Sequence, residues 1–402
     1  MAHVYPFKAL LPAPGLESLV SANIHMDTPE RLLEIVQGNP LSYLHVVKPH
    51  LLSGEPKNPE VHFPLAKAAL DRLIQQGSID MDDEPGLYVY KQTRLSDGLV
   101  FLGLVCTVDV EDYFTGHIKI HEKTITEKEN QLIQHIETTG VIGEPVLLTH
   151  PANKDISFML EEYVDAIWQI KSFEDDAGVR HDIYAIRGAE AIDKLETLYL
   201  KAGDLYIADG HHRSAASAGY YRKNNIKGGK YLAFIVPPEY LKINSFHRAF
   251  KASGQFDEQQ FLSALEINFS VTPVNHAFQP VREHEFGLYI GDSWYILDYK
   301  HNCNGLNAVD KLDVSLLEEY VFKSILNIQD SKTDKQLEFI KGNLPLNILE
   351  KKVQEGIFDF VFTVFPCKVE EMFDVADQSL IMPPKSTFIE PKLRTGLFIQ
   401  KV

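Results

Sequence analysis

Five consecutive residues near the middle of the chain, Asp209-Gly-His-His-Arg213, combine a carboxylate, two imidazoles and a guanidinium. Apolar residues 205–207 precede them as a short strand, and residues up to Lys223 follow at helical spacing, so the five residues form a strand-to-helix turn. The amides and dipole of a first helical turn favour a phosphate or carboxylate. Gly210 lets a ligand approach the backbone, and Arg213 offers a planar pair of donors.

This turn therefore predicts an anion site made by Asp209, Gly210, His211 and Arg213. Two other interpretations stay open. His211 and His212, together with Asp209, are residue types that bind a metal or move a proton. Alternatively, Asp209 caps the helix and the two histidines lie on the surface.

A second stretch with chemical potential is Ile118-Lys-Ile-His-Glu-Lys-Thr124. His121 and Glu122 offer an acid/base pair, or nitrogen and oxygen ligands for a metal. Neighbouring residues of an extended segment point to opposite faces, so these two side chains need not share a pocket. The simpler alternative is that Glu122 pairs with Lys123 on the surface.

The third stretch is the C-terminal segment Met382-Pro-Pro-Lys-Ser-Thr-Phe-Ile-Glu-Pro-Lys392. Its Lys385, Ser386, Thr387 and Lys392 supply two cations and two hydroxyls in a proline-rich loop, a composition that suits phosphate binding. The alternative is a surface loop that fixes the C-terminus. No glycine-rich phosphate loop precedes Lys385, and no Gly-x-Gly-x-x-Gly occurs anywhere, which disfavours the common nucleotide-binding folds.

All three stretches resemble signature segments of a large bacterial and archaeal family, domain of unknown function 1015, often described as SerK-like. The Asp-Gly-His-His-Arg turn also resembles, more distantly, the phosphate-binding turn of the ParB/sulfiredoxin fold. Members of that fold include free serine kinases, the CTP hydrolase ParB, and sulfiredoxin, which uses ATP. The resemblance implies nucleotide chemistry at residues 209–213, assisted by Lys385 and Lys392.

The chain departs from the family pattern near its N-terminus, where the resemblance implies an acidic base. Asp27 and Glu30 are the nearby candidates, although Asp27-Thr-Pro-Glu30 is equally typical of a helix start. His45 and the pair His247-Arg248 match weaker family segments. Each has a structural alternative: a histidine at the edge of the core, and an exposed pair after a strand.

The amino-acid composition limits the kinds of partner that this protein is expected to bind. The 402 residues include 39 Lys and Arg and 56 Asp and Glu, giving a formal net charge of −17. This balance opposes sequence-independent binding to nucleic acid or to an anionic membrane. The 3 cysteines are far apart and predict neither a zinc site nor a disulfide framework. With no signal-peptide pattern and no long apolar run, we expect a cytoplasmic protein of unknown oligomeric state.

Helical and extended patterns mix along the chain without strict alternation, which favours an α+β fold. We expect segment 39–47 to end as a strand and segment 166–170 to form one. We expect residues 63–76 to form an amphipathic helix with Leu65, Ala69, Leu73 and Ile74 on its apolar side. The resemblance implies a mixed-sheet, ParB/sulfiredoxin-like core over 1–250 and a C-terminal α+β portion over 251–402. Within that portion, 380–392 is a candidate to return to the site.

The favoured interpretation is an enzyme that transfers a phosphoryl group from ATP or ADP, with Mg²⁺, to a small hydroxyl metabolite. Glu122, His121 and His212 are its candidate catalytic residues. Two alternatives remain: a nucleotide-binding regulatory protein with weak or no hydrolysis, and a metal-dependent hydrolase that uses His121, Glu122, Asp209, His211 and His212.

Overall fold

The computed structural model describes residues 1–25, 28–53 and 58–402. The chain divides into two compact units, one made of Met1–Leu241 with Pro391–Val402 and the other of Lys242–Glu390. Both units combine helices with sheets, and the largest sheet contains parallel and antiparallel pairs. The predicted α+β fold with a mixed sheet is therefore confirmed.

The first unit contains most of the secondary structure. Its helices are Glu17–Val20, Pro29–Gly38, Leu44–Val47, His50–Ser53, Pro59–Gln75, Val110–Phe114, Thr126–Thr139, Lys154–Ala166, Ala189–Ala202 and His211–Lys223, with a 3₁₀ turn at Pro238–Tyr240. Its strands are Val4–Tyr5, Ala9–Pro12, Ile79–Met81, Leu87–Arg94, Val100–Asp109, Ile118–Lys119, Val141–Ile142, Val146–Thr149, Lys171–Glu174, Val179–Ile186, Leu205–Asp209, Lys230–Ile235 and Ile399–Lys401.

The large sheet of this unit places the strand of the central turn between two others. Leu205–Asp209 pairs in parallel with Ile118–Lys119 and antiparallel with Val146–Thr149. Parallel strands end at the same sheet edge, so residues that follow Lys119 and residues that follow Asp209 emerge together. The antiparallel neighbour begins at this edge, which brings residues 144 and 145 there as well.

The helix His211–Lys223 leaves this edge and packs on the helix Thr126–Thr139. Five consecutive small side chains, Ser214, Ala215, Ala216, Ser217 and Ala218, are all buried, so this part of the helix is enclosed on every side. A Cβ on Gly219 would lie 2.9 Å from the Cδ1 of Ile133, closer than a carbon contact allows. Small residues therefore let the two helices approach closely.

A smaller antiparallel sheet explains how the C-terminal segment belongs to the first unit. The strand Ile399–Lys401 pairs with Ala9–Pro12 on one side and with Val141–Ile142 on the other. Ile399 is fully buried in a cluster with Leu10, Val141 and further apolar side chains. This strand anchors residues 391–402 to the first unit.

The second unit is built on a six-stranded antiparallel sheet of Phe246–Phe250, Phe269–Val274, Glu285–Ile290, Ser293–Tyr299, Leu337–Lys341 and Phe360–Val364. A separate two-stranded antiparallel sheet pairs Lys242–Asn244 with Phe388–Glu390. The helices of this unit are Glu258–Leu265, Asp313–Leu317, Leu346–Gln354 and Val369–Asp377, with a π-helical segment at Glu318–Lys323. Phe250, Phe261 and Phe360 stack in its core, with ring centroids 4.6 to 4.9 Å apart for the stacked pairs.

Two predicted strands are wrong. Segment 39–47 ends in the helical turn Leu44–Val47, where the buried Leu44 and Val46 outweigh the strand preference of two adjacent valines. Segment 166–170 forms no strand; the helix ends at Ala166, Trp168 is 90% exposed, and the strand begins only at Lys171.

The helix predicted at 63–76 forms over Pro59–Gln75, and its predicted apolar side is half correct. Ala69 and Leu73 are buried, together with Ala66 and Leu70, whereas Leu65 and Ile74 are 48% and 40% exposed. None of the helices in the described residues combines the length and apolar character that crossing a bilayer would require.

Candidate functional site at the 209–213 turn

Two histidines and a glutamate meet at the sheet edge where the parallel strands end. The ligand-type atoms of His121, Glu122 and His211 all lie within 4.8 Å of one another. The Nδ1 of His211 is 3.4 Å from Oε2 of Glu122, and its Nε2 is 3.3 Å from the backbone nitrogen of His121. The two imidazole rings pack edge to face with centroids 4.5 Å apart. Residues 90 positions apart thus form one group.

Burial differs sharply within this group. His121 is 1% exposed and His211 4%, whereas the side chain of Glu122 is 49% exposed. Among the described residues, neither ring nitrogen of His121 has a hydrogen-bond partner. The two residues follow the strand Ile118–Lys119 and differ in direction, with His121 turned inward and Glu122 outward, yet both reach the same histidine.

Burial also fixes the charge of the two histidines. It lowers the pKa of His121 to about 4, an effect that the negative charge of Asp209 only partly opposes. Burial, followed by the neighbouring His121, lowers the pKa of His211 well below its usual range. Both imidazoles are therefore neutral at pH 7, the form in which a histidine nitrogen accepts a proton or ligates a metal.

Charged side chains surround the carboxylate of Asp209 on the other side of the turn. The Nζ of Lys392 lies 3.1 Å from Oδ2 of Asp209, and the Nη2 of Arg213 lies 3.7 Å from the same oxygen. Arg213 also forms an ion pair with Glu144 and donates to the carbonyl oxygen of Pro145. The Nε2 of His25 lies 2.7 Å from the same Glu144 carboxylate.

These ion pairs set the charge of the two carboxylates. Burial by itself would raise the pKa of Asp209, but the positive charges of Lys392 and Arg213 outweigh it and lower the pKa to about 2. Burial opposes ionisation of Glu144 too, and Arg213 and His25 together hold its pKa below the usual value. Both groups are therefore carboxylates at pH 7.

Gly210 makes the turn possible. It precedes the first residue of the helix and has a φ of +98°, in the left-handed region that residues with a Cβ avoid. A Cβ at this position would also lie 2.9 Å from the Nε of Arg213. The glycine therefore allows both the sharp turn and the position of the guanidinium beside it.

The family model "Protein of unknown function (DUF1015)" matches residues 4–315. The chain belongs to this family. Its DUF1015 membership confirms the family resemblance of the motifs at 118–124 and 209–213, which lie inside the matched range. No curated protein matches the chain.

Three solved structures are similar to this DUF1015 protein. A free serine kinase in complex with AMP is 15% identical with a TM-score of 0.36, covering 74% of this chain and 91% of that one. A conserved hypothetical protein from Pyrococcus furiosus is 17% identical, TM-score 0.33, covering 72% and 93%. C-terminally truncated SbnI from Staphylococcus aureus is 11% identical, TM-score 0.36, covering 71% and 82%.

The remaining predicted site residues of the first unit each have their own surroundings. His212 is half-buried, and its Nε2 is 3.1 Å from the backbone nitrogen of Ile125, so it bridges the turn to the start of the next helix. Glu30 is exposed on the helix Pro29–Gly38, which Thr28 caps through its side chain. His45 is bonded through Nε2 to the carbonyl of Asn39. Asp27 lies outside the described residues.

Other candidates belong to the second unit. Ser386 donates its hydroxyl to the carbonyl of Pro383, and Thr387 is half-buried beside it. The exposed Lys385 has its ammonium 5.0 Å from the ring centre of Phe246. The structural alternative for His247 and Arg248, an exposed pair, is wrong, since these residues are 0% and 3% exposed. The Arg248 guanidinium donates to the carbonyls of Phe246 and Lys385.

Two residues of the site escaped the sequence analysis, Glu144 and His25. Glu144 lies two residues before the strand Val146–Thr149, in the segment Gly143-Glu-Pro145. What places it beside Arg213 is the antiparallel pairing with Leu205–Asp209, and strand order is not encoded in local spacing. His25 carries no sequence signal that distinguishes it from the other histidines.

Proposed function

We propose that this protein binds the phosphates of ATP or ADP at the 209–213 turn and transfers a phosphoryl group to a small hydroxyl metabolite. One observation carries the proposal. Two cations, Arg213 and Lys392, converge on Asp209 at the N-terminus of a 13-residue helix. A helix N-terminus already favours negative charge, so cations placed there are electrostatically costly unless an anion joins them.

Asp209 and Glu144 balance these cations in the structure, and a nucleotide would bring phosphate oxygens that compete for the same cations. The Asp209 carboxylate is ionised and is a hard oxygen ligand, which suits Mg²⁺ bridging to phosphate oxygens. Lys392 then exchanges its contact with Asp209 for one with a phosphate. The amides of the first helical turn, which by helix geometry have no partner within the helix, complete the cradle.

The acceptor hydroxyl needs a base, and the exposures favour Glu122 over His121 for this role. Glu122 is half-exposed and can reach a bound substrate, whereas His121 is buried. The hydroxyl oxygen forms a bond to the terminal phosphorus, the bond to the bridging oxygen breaks, and ADP or AMP leaves. The hydroxyl proton passes to the Glu122 carboxylate. Such transfer depends mainly on positioning and charge stabilisation.

The test is nucleotide turnover with and without a hydroxyl acceptor, beginning with serine, in wild type and Glu122→Gln. We expect the variant to lose at least about 100-fold in turnover, as removal of a general base does, while its nucleotide affinity is retained. Glu127→Gln, which changes an exposed glutamate nearby, serves as the matched control.

The regulatory alternative makes the opposite prediction for the same variant. A protein that uses nucleotide only as a switch binds it with Mg²⁺ but shows no acceptor-dependent turnover, and Glu122→Gln changes little. If Glu122→Gln turns over as fast as wild type, Glu122 is not the general base.

A metal-dependent hydrolase is the second candidate, because one specific observation favours it. His121, Glu122 and His211 form a group with the residue types and spacing of a metal site. A hydrolase of this kind would release phosphate to water without an acceptor and would lose all turnover when transition metals, but not Mg²⁺, are removed.

A further inference from the structure

We infer that His121, Glu122 and His211 form a binding site for one divalent transition-metal ion of the Zn²⁺ or Co²⁺ type. This ion is distinct from the Mg²⁺ that accompanies a nucleotide, and the site does not require the proposed function. In the described part of the chain these three residues are the group of histidine, cysteine and carboxylate side chains with metal-site spacing.

The donor set selects the class of ion. Two imidazole nitrogens and one carboxylate oxygen suit zinc and its neighbours, whereas Mg²⁺ prefers oxygen ligands only. Three protein ligands also leave at least one position of a tetrahedral ion open. The side chain of Glu122 is half-exposed, so an ion can reach the group from solvent.

The separation of the ligand atoms fits this assignment. An ion about 2.0–2.1 Å from each ligand at a tetrahedral angle separates two ligand atoms by about 3.3–3.4 Å. The Nδ1 of His211 and the Oε2 of Glu122 are 3.4 Å apart. The three ligand atoms all lie within 4.8 Å of one another. To bind one ion they must come closer together, and rotation of the Glu122 side chain would bring its carboxylate towards the two imidazoles.

An independent observation points to His121 as a side chain that binds a ligand. This side chain is 1% exposed, and within the described residues neither of its ring nitrogens has a hydrogen-bond partner. Buried polar atoms are normally satisfied, and leaving them unsatisfied costs stability. A metal ion on one ring nitrogen would satisfy the imidazole lone pair.

Metal binding has one structural cost within the group. A His211 that ligates through Nδ1 carries its proton on Nε2, which then donates instead of accepting. The 3.3 Å contact between Nε2 and the backbone N–H of His121 would be lost. That contact is long for a hydrogen bond, so its loss is small beside the formation of a metal–ligand bond.

The ion could also serve the proposed chemistry without displacing Glu122 from it. If Glu122 ligates through Oε2, its other oxygen stays available to accept the proton of a hydroxyl. The ion would then tie the segment after the strand Ile118–Lys119 to the first residue of the helix His211–Lys223. It would thereby hold the carboxylate at a fixed distance from the phosphate turn.

The experiment is titration of the chelator-stripped full-length protein with Co²⁺ in the absence of nucleotide, followed by visible absorption and by calorimetry. We expect one ion per chain, an absorption of tetrahedral type, and no displacement by excess Mg²⁺. Glu122→Gln should weaken Co²⁺ affinity by at least about tenfold, and His121→Ala should remove the tetrahedral absorption.

Two matched variants control for binding elsewhere and for disturbed folding. Glu127→Gln removes an exposed glutamate nearby, and His150→Gln removes a buried histidine outside the group; both should bind Co²⁺ as wild type does. If His121→Ala fails to fold, Glu122→Gln still tests the inference, because the side chain at position 122 is exposed and its replacement should leave the fold intact. A wild type that takes up no Co²⁺, or a Glu122→Gln that binds it unchanged, overturns the inference. Neither result affects nucleotide binding, which is measured separately.

Discussion

The ammonium of Lys392 lies 3.1 Å from the carboxylate of Asp209, although 183 positions separate the two residues. The strand Ile399–Lys401 makes this contact possible, because it pairs with Ala9–Pro12 and Val141–Ile142 and so holds the C-terminal segment in the first unit. A cation from the end of the chain therefore completes a site that the middle of the chain begins.

Gly210→Ala should destabilise the protein because of backbone strain. The φ of +98° and the close approach to Arg213 both oppose a Cβ, and such strain costs about 1–3 kcal/mol. Gly188→Ala is the matched control, since Gly188 also precedes a helix but has a φ of −67° and open space around its Cβ position. Chemical denaturation of both variants measures the difference, and equal stabilities would contradict this account of the turn.

Asp209→Asn should change how stability depends on acid. The folded-state pKa of about 2 lies below the usual value, so the ionised carboxylate stabilises the fold above about pH 4. This stabilisation is lost as the pH falls from about 4 to about 2. With the side chain 33% exposed, its contribution is on the order of 1 kcal/mol after screening.

Free energies of unfolding measured between pH 7 and pH 3 test this expectation. Wild type should lose part of its advantage over Asp209→Asn by pH 3. A constant difference between the two proteins across the range would show that the Lys392 and Arg213 charges do not act on this carboxylate.

Glu144→Gln should cost far more stability than loss of an exposed ion pair. Glu144 is buried and pairs with Arg213 and His25, so neutralising it leaves a partly buried guanidinium short of a counterion, at about 2–4 kcal/mol. Glu34→Gln breaks the exposed pair with Arg31 and should cost at most about 1 kcal/mol. Thermal denaturation of both at pH 7 makes the comparison; a smaller effect at position 144 would count against a structural role.

Asp313→Asn should stabilise the protein at alkaline pH. Burial raises the pKa of Asp313 to about 8, while the backbone N–H of His284 donates to its Oδ1 at 2.8 Å. The protonated carboxyl contributes fully below about pH 4, and that contribution is lost as the pH rises towards 8. Asparagine keeps the acceptor oxygen and cannot ionise.

Calorimetry at pH 5 and pH 8.5 measures this effect. The gain of Asp313→Asn over wild type should be larger at the higher pH, on the order of 2 kcal/mol or more. Asp310→Asn, at an exposed position three residues earlier, should show no such pH dependence. An identical response of both variants would contradict the buried, protonated state of Asp313.

The sequence predicts the central strand, turn and helix well because their signals are local. Gly210 breaks the strand, and the small residues that follow fit only a closely packed helix, so His211–Lys223 ends where Arg222 and Lys223 indicate. Segments 39–47 and 166–170 were predicted incorrectly because short apolar runs do not distinguish a strand from a helical turn or an exposed loop. Trp168 illustrates this, since its apolar side chain is exposed.

The same distinction between local sequence signals and long-range pairing applies to the residues of the site. His121, Glu122 and the 209–213 turn come from two motifs, and the parallel pairing of their strands brings them together. Glu144 could not be assigned from its own neighbourhood, because its role depends on which strand lies beside Leu205–Asp209. Sequence spacing therefore identifies side chains with suitable chemistry, whereas sheet order decides which of them meet.

The most direct test of the proposed function is calorimetric titration of ATP and ADP with Mg²⁺ into wild type, Lys392→Gln and Lys401→Gln. Lys392 lies beside the turn, and Lys401 is exposed on the same C-terminal segment, so the two changes remove the same charge from different places. We predict that wild type and Lys401→Gln bind nucleotide with equal affinity. Lys392→Gln should bind at least about tenfold more weakly, the effect of one lost contact to a charged phosphate. Unchanged binding in Lys392→Gln, or no binding by wild type, would contradict a phosphate site at this turn.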